Sequence, residues 1–135
     1  MAQGWRKAAQ ADIEERERRG GGASSRDIAG TLGAEQLVCR VWRYAPGHEM
    51  AYHRHREQEE LYQLLSGGPQ EVLVEGEVVT VQDGDWLRFH KDVPRRIQNR
   101  SDREAIWLTI GAPTGEGIRD GVRLDPETGQ EIPRS

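Results

Sequence analysis

From residue 37 onward the apolar residues come in short bursts separated by turn-forming residues, a rhythm that strands produce and long helices do not. LVCRVWRY at 37–44 is rich in β-branched and aromatic residues and is stopped by Ala45-Pro46-Gly47. LYQLL at 61–65 ends at Ser66-Gly67-Gly68-Pro69. EVLVE at 71–75 and VVTV at 78–81 flank Gly76-Glu77, the pattern of a hairpin with a tight glycine turn. WLRF at 86–89, RRIQN at 95–99 and AIWLTI at 105–110 complete the set. Many short strands with closely spaced turns predict an antiparallel, all-β sandwich or barrel over about residues 35–112.

The flanks read differently. Residues 5–19, WRKAAQADIEERERR, lack Gly and Pro and carry Trp5, Ala9 and Ile13 four apart, which predicts a short N-terminal helix with a thin apolar stripe. GGGASS at 20–25 reads as a flexible linker. Ser25 or Asp27 is then placed to cap a single helical turn through Leu32, closed by Gly33. After Pro113 the tail is rich in glycine, and Val122-Arg123-Leu124 is placed to add an edge strand or to reach a partner subunit. The expected division is therefore 1–34 (helix and linker), 35–112 (β-domain) and 113–135 (tail).

Composition narrows the partners more than the fold. A chain of 135 residues has room for one core. The net charge of -4 and a pI near 5.6 give no electrostatic reason to expect nucleic acid or an anionic membrane. Mean hydropathy is -0.82, no apolar run has the length of a membrane span, and the N-terminus lacks the hydrophobic core of a signal peptide. Cys39 is the only cysteine, so no internal disulfide forms. A soluble, cytoplasmic protein is the expectation.

The candidate chemistry lies between Gly47 and Gly67, GHEMAYHRHREQEELYQLLSG. His53 and His55 share a face on extended backbone, because strand side chains alternate. Glu60 lies at an odd offset from His55 and would face the other way on an unbroken strand. The polar Arg56-Glu57-Gln58-Glu59 between them reads as a turn or bulge that brings Glu60 back beside the histidines. Two imidazoles and a carboxylate converging on a point suit a divalent transition metal with open coordination positions. Tyr62 and Leu64 follow Glu60 by alternation and are expected to line the same pocket, Tyr62 either as packing or as a substrate hydrogen-bond donor.

With its glycine, five residues, His-x-His, a short gap, glutamate, six residues and glycine, this segment resembles the first motif of the cupin family. Gly47, His53, His55, Glu60 and Gly67 meet its fixed positions. The resemblance implies a single-domain, jelly-roll-like antiparallel β-barrel with a mononuclear metal (Fe, Mn, Ni or Zn) on His53, His55 and Glu60. Gly84 and Asn99 bound a second motif at the cupin spacing, but His90 stands at its proline, Asp92 at a glycine and Arg95 at the histidine that is the family's fourth metal ligand. A guanidinium has no lone pair and stays protonated, so Arg95 cannot ligate. Some small cupins are similar in carrying arginine here, with a comparable HxHxxQEE stretch and an IGAP close like that at 110–113.

Three roles stay open for Arg95: a salt bridge to Glu60 that replaces the metal, an anchor for a substrate carboxylate or phosphate beside a three-ligand metal, or a side chain turned out of the barrel. His90 is a candidate substitute ligand or a solvated turn histidine. His48, Glu57 and Glu59 read as loop and turn residues, with Glu59 the alternate to Glu60. Trp42, Trp86 and Trp107 read as sheet or dimer packing. The expected function is small-molecule binding at the metal site, with oxygenase, isomerase or lyase chemistry. The alternative is a metal-free binding or sensor protein in which Arg95 pairs with Glu60. A homodimer is expected, because small barrels leave sheet edges and apolar faces to be covered.

Overall fold

The computed structural model describes residues 4–114 and 120–133. Its elements, in chain order, are β1 (Glu15–Glu17), β2 (Ala23–Asp27), α1 (Ile28–Leu32), β3 (Val38–Tyr44), β4 (His53–His55), β5 (Glu59–Ser66), β6 (Gln70–Val74), β7 (Glu77–Val81), β8 (Trp86–Phe89), β9 (Arg95–Gln98), β10 (Ala105–Ala112) and β11 (Gly121–Arg123). They form a six-stranded sheet, β1-β2-β3-β10-β5-β8, and a five-stranded sheet, β11-β4-β9-β6-β7. Every strand pairing is antiparallel. The two sheets are not joined edge to edge into the closed barrel that was expected; they are two separate ladders with the core between them.

The strand bursts read from the sequence appear in place. In β10 the inward positions Ala105, Trp107, Thr109 and Gly111 are buried and alternate with Ile106, Leu108 and Ile110. Trp107, Leu64, Val72 and Ile97 are fully buried, so each sheet contributes to a dry packed layer. The predicted hairpin is β6–β7, and its two turn residues, Glu75 (φ 50°) and Gly76 (φ 81°), both take the left-handed conformation that matches strand twist. Gly67 is required on two counts. Its φ is 92°, and a Cβ there would lie 2.1 Å from the Glu104 carbonyl oxygen.

The N-terminal helix over residues 5–19 does not form. Only Gln10–Asp12 makes a helical turn, flanked by extended Ala9 and Ile13. A stripe of three apolar residues cannot offset helix nucleation in water, and Trp5 remains exposed while only Ile13 is buried. The backbone gains more as β1, which adds to β2 with Glu15 opposite Arg26. Glu15 then accepts from Arg43 Nε at 2.8 Å and Ser24 Oγ at 2.8 Å. The expected linker is also structured. Gly20, Gly21 and Gly22 all have positive φ and turn the chain into β2, where Ala23, Ser24 and Ser25 are buried.

The short helical turn is where the sequence placed it. Asp27 caps α1 by accepting from Gly30 N–H at 2.8 Å, and Gly33 closes it in the left-handed conformation. The tail supplies the edge strand that Val122 and its neighbours predicted: β11 pairs with β4, with Arg123 opposite His53 and Gly121 opposite His55. Val122 and Leu124 pack with Tyr52 in a small cluster of their own.

A polar constellation between the two sheets

Extended backbone puts His53 and His55 on one face of β4. Residues opposite one another across an antiparallel ladder also share a face. His53 stands opposite Arg123 on β11 and Arg95 on β9, so the three side chains form a row on the five-stranded sheet. Arg56, Glu57 and Gln58 then carry the chain to β5, in the other sheet. Glu60 therefore meets the histidines across the space between the sheets. The turn does more than reset a strand's phase; it changes sheets, which removes the problem of the odd offset.

The donor atoms converge. Glu60 Oε1 lies 3.2 Å from His55 Nε2 and 4.0 Å from His53 Nε2. His53 Nδ1 donates to the Ala51 carbonyl at 2.9 Å, and His55 Nδ1 donates to Asp120 Oδ2 at 3.0 Å. With Nδ1 committed as donor, a neutral His53 presents its lone pair at Nε2, whereas His55 lies between two carboxylates, bonded through Nδ1 to Asp120 and through Nε2 to Glu60. Burial, reinforced by the Arg95 charge, lowers the His53 pKa to about 4, so this ring is neutral at physiological pH. Burial alone would raise the Glu60 carboxyl, but the hydrogen bond and charge of His55 and the Arg95 guanidinium outweigh it and bring it down to about 2.

Asp120 is the residue that sequence reasoning missed. Its carboxylate accepts the Glu57 and Gln58 backbone N–H groups, at 3.0 and 2.8 Å, as well as the His55 ring. Burial would raise its pKa, but those backbone bonds and His55 lower it. One aspartate thus pins the sheet-changing turn and orients the His55 ring. It lies 65 residues from His55 in a glycine-rich tail, and no local pattern marks it.

Arg95 takes the first of its three possible roles as far as position goes. It is fully buried, and its guanidinium bonds to Glu60 Oε1 and donates to the Val93 carbonyl at 2.8 Å, with the Phe89 ring 5.0 Å away. Its Nε is buried without a partner, but Arg95 has no exposed surface and is not among the cavity's lining residues, so a substrate anion does not reach it. Tyr62 donates its hydroxyl to the same Glu60 oxygen at 3.2 Å, and burial raises its pKa well above the ordinary phenol value. Its ring belongs to the cavity wall, while its polar end is engaged with Glu60. Leu64 lies in the dry core.

A cavity of about 480 Å³ lies over this cluster, with His53, His55, Glu60, Tyr62, Trp42 and Thr109 in its wall. Trp42 Nε1 donates to Thr109 Oγ1 at 3.0 Å. His48 also lines it, against the Tyr44 ring at 4.9 Å, and burial lowers its pKa. His90, Glu57 and Glu59 are not among the lining residues; His90 is exposed beside Asp92, and Glu59 pairs with Arg88 on the outside. A second cavity, of about 380 Å³, lies among Gln70, Glu71, Arg100 and Arg103 and brings no histidine with it. Asn99 is a structural residue, fully buried, donating to the Tyr44 and Arg103 carbonyls. Trp107 is core, whereas Trp86 is half exposed on edge strand β8.

The residues fit a divalent cation. Among the described residues, His53, His55 and Glu60 are the group whose ligating atoms all lie within 4.8 Å of one another. Each imidazole is anchored through Nδ1 by an acceptor of its own, which makes Nε2 the atom that each would offer a metal. Arg95 occupies the fourth side and shares Glu60.

Comparison with known proteins agrees with this architecture. The family model described as "Cupin domain" matches residues 40–111, more than half the chain. No curated protein matches the chain in sequence. Among solved structures it is similar to a cupin-superfamily sugar phosphate isomerase from Silicibacter pomeroyi, with TM-score 0.76, 21% identity and coverage of 94% of this chain and 92% of that one. The polyketide cyclase RemF from Streptomyces resistomycificus gives TM-score 0.73 at 19% identity over 89% and 87% of the two chains. Oxalate decarboxylase from Bacillus subtilis gives 0.69 at 21% identity, over 87% of this chain and 31% of that one. The identities are low and carry the fold alone. With the family match over residues 40–111, the two antiparallel sheets and the first motif complete, this chain belongs to the cupin family.

Proposed function

We propose that this cupin binds a small molecule at a mononuclear divalent-metal site made by His53, His55 and Glu60. The supporting observation is the paired anchoring of the rings: Ala51 O and Asp120 hold both Nδ1 atoms, so both Nε2 atoms are directed at one carboxylate oxygen. A divalent cation among these three atoms would take the place of the His55–Glu60 hydrogen bond and bring two neutral imidazoles and one anion to a single point. A divalent metal there would act as a Lewis acid toward a substrate oxygen. The protein's own contribution is to fix the ligands, to keep His53 neutral and Glu60 ionised, and to enclose the substrate in the cavity beneath Trp42. Oxygenase, isomerase and lyase chemistry are the reactions in view. The sugar phosphate isomerase, the polyketide cyclase and the oxalate decarboxylase that share this fold illustrate that range without choosing within it.

A second reading has its own observation. Arg95 already neutralises Glu60 from the side where a fourth ligand would stand, which suits a metal-free binding protein. The two readings are separated by metal content, measured on the purified protein before and after chelation and on Arg95→His. The first reading expects roughly one ion per chain in the wild type and little change in the variant, as a mononuclear three-ligand site requires. A wild type without metal and an Arg95→His that acquires it would select the second.

Assembly as a homodimer belongs to the same proposal. Leu61 and Leu65 on β5 and Trp86 on β8 stay exposed on the outer face of the six-stranded sheet, next to its free edge. A cytoplasmic location is proposed too, and among the described residues no helix is long and apolar enough to cross a membrane.

A further inference from the structure

The chain is acidic, with net charge -4, yet the wall of the cavity over His53 and His55 is basic. Among the described residues Arg18, Arg19, Arg40 and Arg123 line it, against Glu49 and Glu60. Both glutamates are already paired, Glu49 with Arg96 at 3.3 Å and Arg100 at 2.6 Å, Glu60 with Arg95. The four arginines come from both sheets or the turn beside them. Arg123 is in the same cross-strand row as His53, Arg40 is on β3, and Arg18 and Arg19 follow β1. Arg18 stacks over Trp42 at 5.2 Å, and Arg40 lies 3.7 Å from Asp27. Arg19 and Arg123 are exposed and have no side-chain hydrogen bond or ion pair with any described residue.

Guanidinium groups gathered on one wall repel one another unless an anion is shared among them, and their planar donors match carboxylate and phosphate oxygens. Field focusing in a cleft raises the local concentration of an anion even on a protein of opposite net charge. We infer that the cavity takes a small, oxygen-rich molecule carrying a phosphate or carboxylate group, that group held by Arg19 and Arg123 with Arg18 and Arg40 beside them, and its neutral oxygens turned toward His53 and His55. The inference rests on the proposed function for the cavity being the ligand site, but not on a metal being bound. Arg95, the arginine that the second motif offers for this task, is closed off behind Glu60; the anion-binding role passes to arginines outside both motifs.

Calorimetric titration of chelator-treated protein at low ionic strength tests this with three probes: glucose 6-phosphate, gluconate and glucose. One of the two anionic probes binds at least about tenfold more tightly than glucose, a difference of about 1.4 kcal/mol, and the better of the two names the head group. Added salt weakens that binding and leaves glucose unaffected. The double variant Arg19→Gln/Arg123→Gln, at exposed positions, loses about tenfold or more in affinity for the anion while keeping the wild-type metal content and circular dichroism. Equal affinity for all three probes, no binding of either anion, or an unaltered double variant would overturn the inference. The metal reading fails separately. His53→Ala abolishes metal uptake if that reading holds, and the anion preference survives in it; should the wild type take up no metal yet keep the preference, only the metal is withdrawn.

Discussion

The space between the two sheets is filled in two different ways. At one end Trp107, Leu64, Val72 and Ile97 pack with no exposed surface and almost no polar demand. At the other, with β5 and β9 common to both, His53, His55, Glu60 and Arg95 make a nearly closed set of charges and polar atoms beneath a cavity. Glu60, Tyr62 and Leu64 are successive inward positions of one strand and pass from the second filling to the first. Strand alternation decides which side chains enter the interior. Whether they form a dry core or a reactive site depends on what each one demands of its neighbours. The apolar end needs chiefly volume, the buried Trp107 indole N–H being left without a hydrogen-bond partner there, whereas the charges at the other end are held by specific partners.

That contrast can be broken most sharply by deletion. Trp107→Ala should cost about 3–5 kcal/mol in a urea melt, as loss of a buried aromatic side chain does. Glu60→Ala should cost a comparable amount, about 3–5 kcal/mol, because it strands a fully buried guanidinium. The two then part company: adding Arg95→Leu to Glu60→Ala should restore most of the loss, while no single partner substitution rescues Trp107→Ala.

Acid separates the two ends next. The His53 pKa is lowered in the fold, so the unfolded chain binds the proton first and stability falls as pH drops from about 6.5 toward 4. In chelator-treated protein the full effect is on the order of 3 kcal/mol, and His53→Leu should flatten this part of the profile. Glu60 is also lowered, so its contribution is present above pH 4.5 and is lost further down, toward 2. A chemical-denaturation series across these pH values that showed stability rising on acidification would sink both assignments.

Smaller effects sharpen the picture. Asp120→Asn keeps an oxygen for the Glu57 and Gln58 backbone groups but removes the anion that orients His55, so metal affinity should drop by about 10–100-fold. Competition with a metallochromic chelator reads this directly, with thermal stability changed little. Smallest in stability is Leu61→Lys on the outer face, within about 0.5 kcal/mol in the isolated fold. Sedimentation should nonetheless show dimer shifting to monomer, and a species of unchanged mass would remove this face from the interface.

Much of this was legible in the chain. Period-two bursts between glycine turns announce the strands, and His53, His55 and Glu60 announce the constellation, because each signal is local. What failed was non-local. Residues 5–19 have helix-forming composition, but an unpaired edge at β2 offered them a ladder and Glu15 an arginine pair. Gly20, Gly21 and Gly22 suggested freedom where the fold uses them for a single turn. Asp120 could not be found because its meaning comes entirely from His55 and the turn after β4, brought to it by folding.

The attachment of β4 sets a limit on how still the site can be held. All three residues of that strand pair with the tail strand β11, and only His53 pairs with β9. Amide exchange at Arg54 and in β11 should therefore proceed as one event, since lifting the tail strips the histidine strand of most of its ladder. Occupancy of the cavity and closure of the C-terminal strand then become linked equilibria: a ligand held between Arg123 and His53 slows exchange at both, and a heavy fusion at the C-terminus loosens both.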